Sequence, residues 1–456
     1  MEQSFLAKKK LSAKAIVFIL GFLTLINAGL HLYKIGYPDW PVFDEVHFAT
    51  YSADYVKQKP HYDIHPPLGK MIYAGALYLS GSPAAGDANF ITVTKNKNDD
   101  GLRTTGNEIP YGEFPYVLLR IVSALFGLVL PLAFFWFLKS IGIGDIASVL
   151  GAGLLILDSA LLVETRLILM NGMYLTFAFA GLALFFSRPK IPALAGIIFG
   201  LALSVKLVAL AALGPVVIFI FAGAGQKEIK IRAVKFLGAA VLVLFLIYVF
   251  GFVWFPLDGH ISLLKSLGAL KTFIPQSTGP VGTWIGVFLM ETIYSSSGYL
   301  AYSPAHVNAS QWFYWPIGQK AMDYFKSQIF LVPNYAMWWA VLLSVIVALA
   351  VLPRYARSHL KNIKNNEPHR PERIPLLLLL GYVFALFPHF AFVNRVAFLY
   401  HYFPSLLFGI GLLVWIIEKK SKSWLPLIIV SLFALAGFVY GAGCVYGTYC
   451  NPIALF

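Results

Sequence analysis

The stretch "VFDEVHF" (residues 42–48) packs Asp44, Glu45 and His47 among Val42, Phe43, Val46 and Phe48, and "YDIHPPLGK" (62–70) follows with Asp63 and His65. Two adjacent carboxylates with an imidazole in apolar, aromatic surroundings suit acid–base chemistry, and an Asp tucked against such a body is a plausible general base. The plain structural reading is a solvated loop start. A third reading is a metal site on Asp44, Glu45, His47 and His65, since carboxylate and imidazole are suitable ligands. Their spacing matches no specific metal signature. In the second stretch Pro66 pushes His65 out of the helical region, and Pro67 can open a helix at its first turn. The functional reading is a rigid turn that presents Asp63 and His65 beside Asp44.

Further charges interrupt apolar runs: Arg120 in "PYVLLRIVSALFG", Glu164 and Arg166 in "LLVETRLILMNG", Lys206 in "GLALSVKLVAL" and Arg395 in "FVNRVAFLYHYFP". A charge in hydrocarbon costs several kcal/mol, so such residues usually face a cavity and mark function. The structural alternatives are snorkelling to the headgroups or an internal ion pair. "SVK" reads as the outer turn of a tight helical hairpin. Four cations near one face suit an anionic ligand such as a lipid phosphate.

The elements that must position these groups are membrane helices. The chain of 456 residues is 59% hydrophobic and 12% charged, with mean hydropathy +0.73. A soluble domain carries about 25% charged residues. Apolar segments at roughly 15–33, 116–138, 146–163, 168–186, 191–203, 206–222, 236–255, 335–352, 374–393, 397–417 and 424–443 predict about eleven spans. The first lacks a clean cleavage site and reads as a retained helix. With Lys8, Lys9, Lys10 and Lys14 inside, the inner segments hold 20 Lys/Arg and 6 Asp/Glu, and 20 − 6 is the whole net charge of +14. That distribution follows the positive-inside rule and removes nucleic acid as the reason for the basic balance. It puts the N-terminus in the cytoplasm, the C-terminus outside, and chemistry on the exterior face.

Two long outer connections result, 34–115 and 256–334, around a single membrane-embedded domain (1–456) without internal repeat. The first contains "PLGKMIYAGALYLSG" (67–81), too short to span and expected as an interfacial helix. The second contains Trp312, Phe313, Tyr314 and Trp315, an interfacial aromatic belt or a wall for sugar or peptide stacking. Cys444 and Cys450 fall outside, where they are either a disulfide or two thiols.

"FDEVHF", "DIHPPLGK", "PYVLLRIVSALFG", "ETRLILMNG", "LSVK" and "FLYHYFPSL" (398–406), in this order, resemble the blocks of the protein O-mannosyltransferases, family 39 of the membrane-embedded GT-C glycosyltransferases. The resemblance implies an all-α GT-C fold with interfacial helices in two long outer loops. The connection 256–334 is too short for the lectin-like MIR repeats of eukaryotic members, which points to a compact prokaryotic form. The family often has Asp where this chain has Asn171, so no role is assigned to Asn171.

The implied donor is a polyprenyl-phosphate mannose. The implied acceptor is a Ser or Thr hydroxyl of an exported protein. By the same resemblance Asp44 is the catalytic base, with Glu45 beside it positioning the acceptor or holding a cation. Asp63, His65, Arg120, Arg166, Lys206, Arg395, His401 and Tyr402 are the implied substrate-binding set. An inverting glycosidase needs an acid and a base, whereas a phosphate leaves without protonation, so one carboxylate and a few cations suffice. No cofactor is required in this scheme, and a divalent metal is the alternative. Membrane lipids, a dimer partner or a translocon are the further expected partners, at the plasma membrane. Competing readings are a GT-C enzyme that moves another sugar or uses a lipid or glycan acceptor, as the aminoarabinose transferases do, and a transporter or lipid flippase. The latter class often shows repeated halves.

Overall fold

The computed structural model describes residues 9–61, 63–95, 102–107, 109–222, 226–259, 280, 283–284, 308–364, 373–391 and 397–450. Helices dominate these residues. In chain order they are α1 (Ala13–Leu32), α2 (Glu45–Val56), α3 (Leu68–Ser80), α4 (Tyr116–Ser140), α5 (Asp145–Ile156), α6 (Ser159–Arg166), α7 (Asn171–Ser187), α8 (Pro192–Val205), α9 (Gly214–Ala222) and α10 (Lys227–Trp254). After the second long connection come α11 (Tyr335–Lys364), α12 (Arg373–Ala391), α13 (Phe403–Lys420) and α14 (Leu425–Tyr446).

Among the described residues six helices are long and apolar enough to cross a membrane, and a seventh span results if α5 and α6 are one broken helix bent by 65°. Four shorter apolar helices occupy the other expected spans. The chain is therefore a multi-pass membrane protein. The segment expected as one span at 146–163 is two helices because Asp158 starts a new one: its carboxylate accepts from the Leu161 amide at 2.7 Å and from the Trp338 indole at 2.7 Å. An N-cap of this kind satisfies amides that a continuous helix would have paired internally. The segment at 206–222 likewise opens with a 3-10 turn, Leu207–Leu213, before α9.

The core is the packed bundle of α4, α7, α8, α10, α12 and α13. Gly196 and Gly200, one turn apart on α8, let it approach α10 so closely that a Cβ at either would run into the α10 backbone at Phe236 and Ala240. Small residues four apart serve this purpose in membrane helix pairs. α1 and α10 expose broad apolar faces, as lipid-facing helices do.

The first long connection holds α2, α3 and a hairpin of β1 (Ile91–Lys95) with β2 (Leu102–Gly106). α3 begins directly after Pro67 and buries one side through Gly69, Lys70, Tyr73, Ala74 and Leu77, with Tyr73 bonded to Ser123 of α4 at 2.6 Å. The second connection ends in a hairpin of β3 (Met322–Phe325) with β4 (Ile329–Leu331). These two hairpins add short sheets to the all-α expectation, with β-branched and aromatic residues in their strands. Cys444 in the last turn of α14 is disulfide-bonded to Cys450 beyond its end.

Candidate active site

The connection between α1 and α2 is fixed from beneath by Glu45 and Arg120. Glu45 is fully buried. Its Oε1 accepts from Arg120 Nε at 2.9 Å and the Ile168 amide at 2.8 Å; its Oε2 accepts from Arg120 Nη2 at 2.8 Å, the Val42 amide at 2.8 Å and the Tyr111 hydroxyl at 3.1 Å. Arg120 spends its remaining N–H groups on the carbonyls of Ile35 (3.2 Å), Pro38 (2.7 Å) and Trp40 (3.2 Å). A bidentate Arg–carboxylate pair of this kind is rigid as well as strong. Of the two roles expected for Glu45 the structure shows the second, holding a cation, so it acts as a positioning residue. The expectation for Arg120 is corrected, since it has no N–H left for a phosphate.

Asp44 comes one residue before this buried pair, at the N-cap position of α2, where its side chain does not cap the helix. It is half-buried. Its carbonyl accepts from the His47 and Phe48 amides at 3.0 and 3.2 Å, so the first turn of α2 holds its backbone. Phe43 before it has φ +51°, in the left-handed region that a bulky residue rarely enters. Such strain persists only where the surroundings over-determine it, and it gathers at functional sites.

A polar chain runs alongside. The Lys206 ammonium donates to Asn171 Oδ1 at 2.9 Å, Asn171 Nδ2 donates to Glu164 Oε2 at 2.7 Å, and the Tyr324 hydroxyl donates to Glu164 Oε1. Lys206 also sits over the Tyr400 ring at 5.4 Å and the Phe48 ring at 5.8 Å. Tyr324 stacks on Phe43 with ring centroids 4.4 Å apart. Burial raises the Tyr324 hydroxyl well above its ordinary value, with Glu164 the next cause and Asp44 a further one. Asp44, Glu164 and Lys206 therefore belong to one electrostatic neighbourhood. Lys206 is an extended residue at the C-terminus of α8, where the helix gives way to the 3-10 turn; the break is what turns its side chain inward.

Asp63 pairs with Lys70 at 2.6 Å, and the same ammonium donates to the His65 carbonyl at 2.7 Å. Both members of the pair are buried. This staple closes the Pro66–Pro67 turn and lays His65 against the Phe48 ring, 6.0 Å between centroids. Tyr51 of α2 shares these surroundings: burial, then Asp63, Asp54 and Asp44 in that order, raise its hydroxyl.

The chain matches the family model of dolichyl-phosphate-mannose-protein mannosyltransferases over residues 21–257, and the model of the C-terminal four-helix region of protein O-mannosyltransferases over 291–454. The chain belongs to the protein O-mannosyltransferase family. It is 32% identical over 203 residues to protein O-mannosyltransferase 1 of Drosophila melanogaster, covering 42% of this chain and 21% of the relative. It is 29% identical over 175 residues to dolichyl-phosphate-mannose–protein mannosyltransferase 1 of Saccharomyces cerevisiae, covering 38% of this chain and 20% of that one. The chain thus spans about a fifth of the length of these curated relatives. In fold it is similar to the S. cerevisiae protein O-mannosyltransferase Pmt1–Pmt2 complex bound to the sugar donor, at TM-score 0.74 and 16% identity, over 98% of this chain and 92% of that one. It is also similar to the Archaeoglobus fulgidus oligosaccharyltransferase, at TM-score 0.57 and 13% identity, over 97% of this chain and 57% of the other. The fold is that of the GT-C glycosyltransferases.

The other expected mannosyltransferase site residues are dispersed. Arg166 donates to the carbonyls of Tyr33 (2.6 Å), Lys34 (3.0 Å) and Val445 (3.2 Å) and lies over the Tyr446 ring, so it braces the end of α1 against the end of α14. Its expected contact with phosphate is thereby replaced by a structural one. Tyr402 is buried among helices, sharing a hydrogen bond with the Tyr382 hydroxyl at 3.0 Å, and it is Tyr400, two residues earlier, that meets Lys206. His401 is sandwiched near Trp315 (6.0 Å), Tyr400 (4.6 Å) and His389 (5.2 Å). Trp315 is wholly buried, whereas Phe313 and Tyr314 are exposed, so the aromatic cluster divides between wall and surface. Arg395 lies outside the described residues. Among the described residues no three His, Cys, Asp or Glu side chains converge as metal ligands.

Proposed function

We propose that this chain transfers a mannosyl group from a polyprenyl-phosphate donor to Ser or Thr hydroxyls of exported proteins, in one inverting step. The observation that carries the reading is the Lys206–Asn171–Glu164–Tyr324 chain, with Asp44 in its electrostatic neighbourhood, inside a family match that covers most of the sequence. Asp44 accepts the acceptor hydroxyl proton as the oxygen attacks the anomeric carbon from the face opposite the phosphate. Lys206 meets the phosphate oxygens as charge develops on them, in a site largely closed to water where such stabilisation is worth most. Asn171 orients Lys206 directly and is itself held by Glu164. His65, His401 and Tyr400 supply the aromatic wall, and the Asp63–Lys70 staple holds His65 in it. The scheme routes no step through a metal or cofactor.

The positive-inside charge map supports an active site on the exterior face of the plasma membrane with the N-terminus in the cytoplasm. A second subunit is a further partner under this reading. The test is to incubate purified protein with labelled polyprenyl-phosphate mannose and a Ser/Thr peptide. Mannosyl peptide of anomeric configuration opposite to the donor is expected. Retained configuration contradicts the single inverting step, and no transfer with a range of peptides contradicts the protein acceptor.

A further inference from the structure

The β3–β4 hairpin lies across the segment that leads into Asp44. Its turn places Lys326 and Ser327 at φ +45° and +57°, with the Gln328 amide donating to the Phe325 carbonyl at 2.7 Å. Two positive φ angles in succession make the tight, strand-matched hairpin turn. Asp323 reinforces it by accepting from the Ser327 amide and hydroxyl, at 3.0 and 3.1 Å to Oδ2. At its base Val332 packs with Tyr335 and disulfide-bonded Cys444, and its carbonyl accepts from the Ser159 hydroxyl at 2.8 Å. The hairpin is thus a rigid arm mounted on the helices.

That arm touches the incoming segment at three successive points. The Tyr37 hydroxyl donates to Gln328 Oε1 at 2.6 Å. The Lys326 ammonium lies 4.4 Å from the centre of the Trp40 ring. The Tyr324 backbone carbonyl accepts from the Phe43 amide at 3.2 Å, while the Tyr324 ring stacks on the Phe43 ring at 6° between planes and its hydroxyl donates to Glu164. The residue held most firmly is the strained one, immediately before Asp44.

We propose that the β3–β4 hairpin is a strap, and that Tyr324 is a positioning residue whose ring holds Phe43 in its left-handed conformation and so aims Asp44. The inference rests on the reading of Asp44 as the base. A bulky residue at positive φ relaxes when its surroundings allow it. With the ring gone, Phe43 can turn back and carry Asp44 with it, and a displacement of about 1 Å at a reacting group costs roughly 100-fold in rate. The Tyr324 hydroxyl also donates to Glu164 at the far end of the chain that reaches Lys206, so the ring is isolated by comparing variants that all lack the hydroxyl.

The experiment compares wild type, Tyr324→Phe, Tyr324→Ala and Tyr324→Leu, the last keeping volume without a ring. Each is assayed for transfer kcat and donor KM, and for amide hydrogen exchange over residues 43–48. Relative to Tyr324→Phe, which keeps the stack but also lacks the hydroxyl, alanine and leucine are expected to lower kcat roughly 10- to 100-fold with donor KM within about threefold, and to speed exchange at 43–48. Phenylalanine keeps the stack and is expected to keep wild-type exchange, and any rise in its donor KM reports the lost hydroxyl bond to Glu164. A kcat in alanine and leucine equal to that of phenylalanine, or wild-type exchange at 43–48 in both, overturns the strap. If alanine fails to fold, leucine decides. If wild type transfers nothing, the proposed acceptor fails and the exchange measurement alone judges whether Tyr324 holds the segment.

Discussion

Replacing Arg120 with Ala separates a structural cation from a substrate-binding one. The guanidinium makes two hydrogen bonds to Glu45 and one each to the carbonyls of Ile35, Pro38 and Trp40. Its loss leaves Glu45 with the amides of Val42 and Ile168 and the Tyr111 hydroxyl, and with no counter-charge in direct contact. Removing one member of a buried ion pair costs about 3–5 kcal/mol, because the survivor remains a buried charge. The stability of a whole domain is about 5–15 kcal/mol, so the loss is large. Equilibrium unfolding in detergent, wild type against Arg120→Ala, measures it. Arg120→Lys restores the charge but not the fork, and is expected to recover less than half of the loss. In the fraction that folds, kcat falls because residues 35–44 lose their tether, while donor KM stays within about threefold. A variant within about 1 kcal/mol of wild type whose donor KM rises tenfold, which is about 1.4 kcal/mol, refutes this assignment and makes Arg120 a phosphate ligand.

Asp54 of α2 predicts a pH dependence of stability. Burial raises its carboxyl from 3.8 to about 6, with Lys59 and Lys57 opposing, and His61 lies 3.6 Å from it. The native state therefore binds more protons than the unfolded chain between about pH 4 and pH 6. Stability falls across that window as pH rises, by up to about 2–3 kcal/mol, and does not recover above it. Asp54→Asn is expected to flatten the slope in unfolding curves taken from pH 4 to 7, and an unchanged slope assigns it to another group. Asn171→Ala cuts the bridge between Glu164 and Lys206; hydrogen bonds to charged groups are worth about 1.5–3 kcal/mol, so donor KM is expected to rise roughly tenfold or more in a donor titration.

Much of the scaffold was readable because membrane helices announce themselves by apolar length. The start of α3 after Pro67 was readable because a proline pair leaves the backbone few choices. The break at Asp158 was not, since an Asp within an apolar run looks like any other intramembrane polar residue until its capped amide is seen. Charged residues within apolar runs stood out, but their partners were invisible. Arg120 and Glu45 lie 75 residues apart, and Lys70 meets Asp63 across a proline turn at a spacing of 7 that no helix explains. Hence two arginines expected on a phosphate turned out to hold carbonyls. Asn171 was set aside because the family often has another residue there, yet it links Glu164 to Lys206. Tyr324 carried no signal, being one tyrosine in a connection without periodicity. Tyr400 and Tyr402 share one 3-10 turn, and residues two apart in such a turn face different ways, so sequence alone did not show which of them meets the cation.

The central claim is that Asp44 takes the acceptor proton. The direct measurement is the transfer kcat of Asp44→Asn at saturating donor, beside donor affinity measured by titration. The account predicts a loss of about 10²–10⁴-fold in kcat with donor affinity within about threefold of wild type. A folded Asp44→Asn variant that loses less than about tenfold in kcat would contradict it.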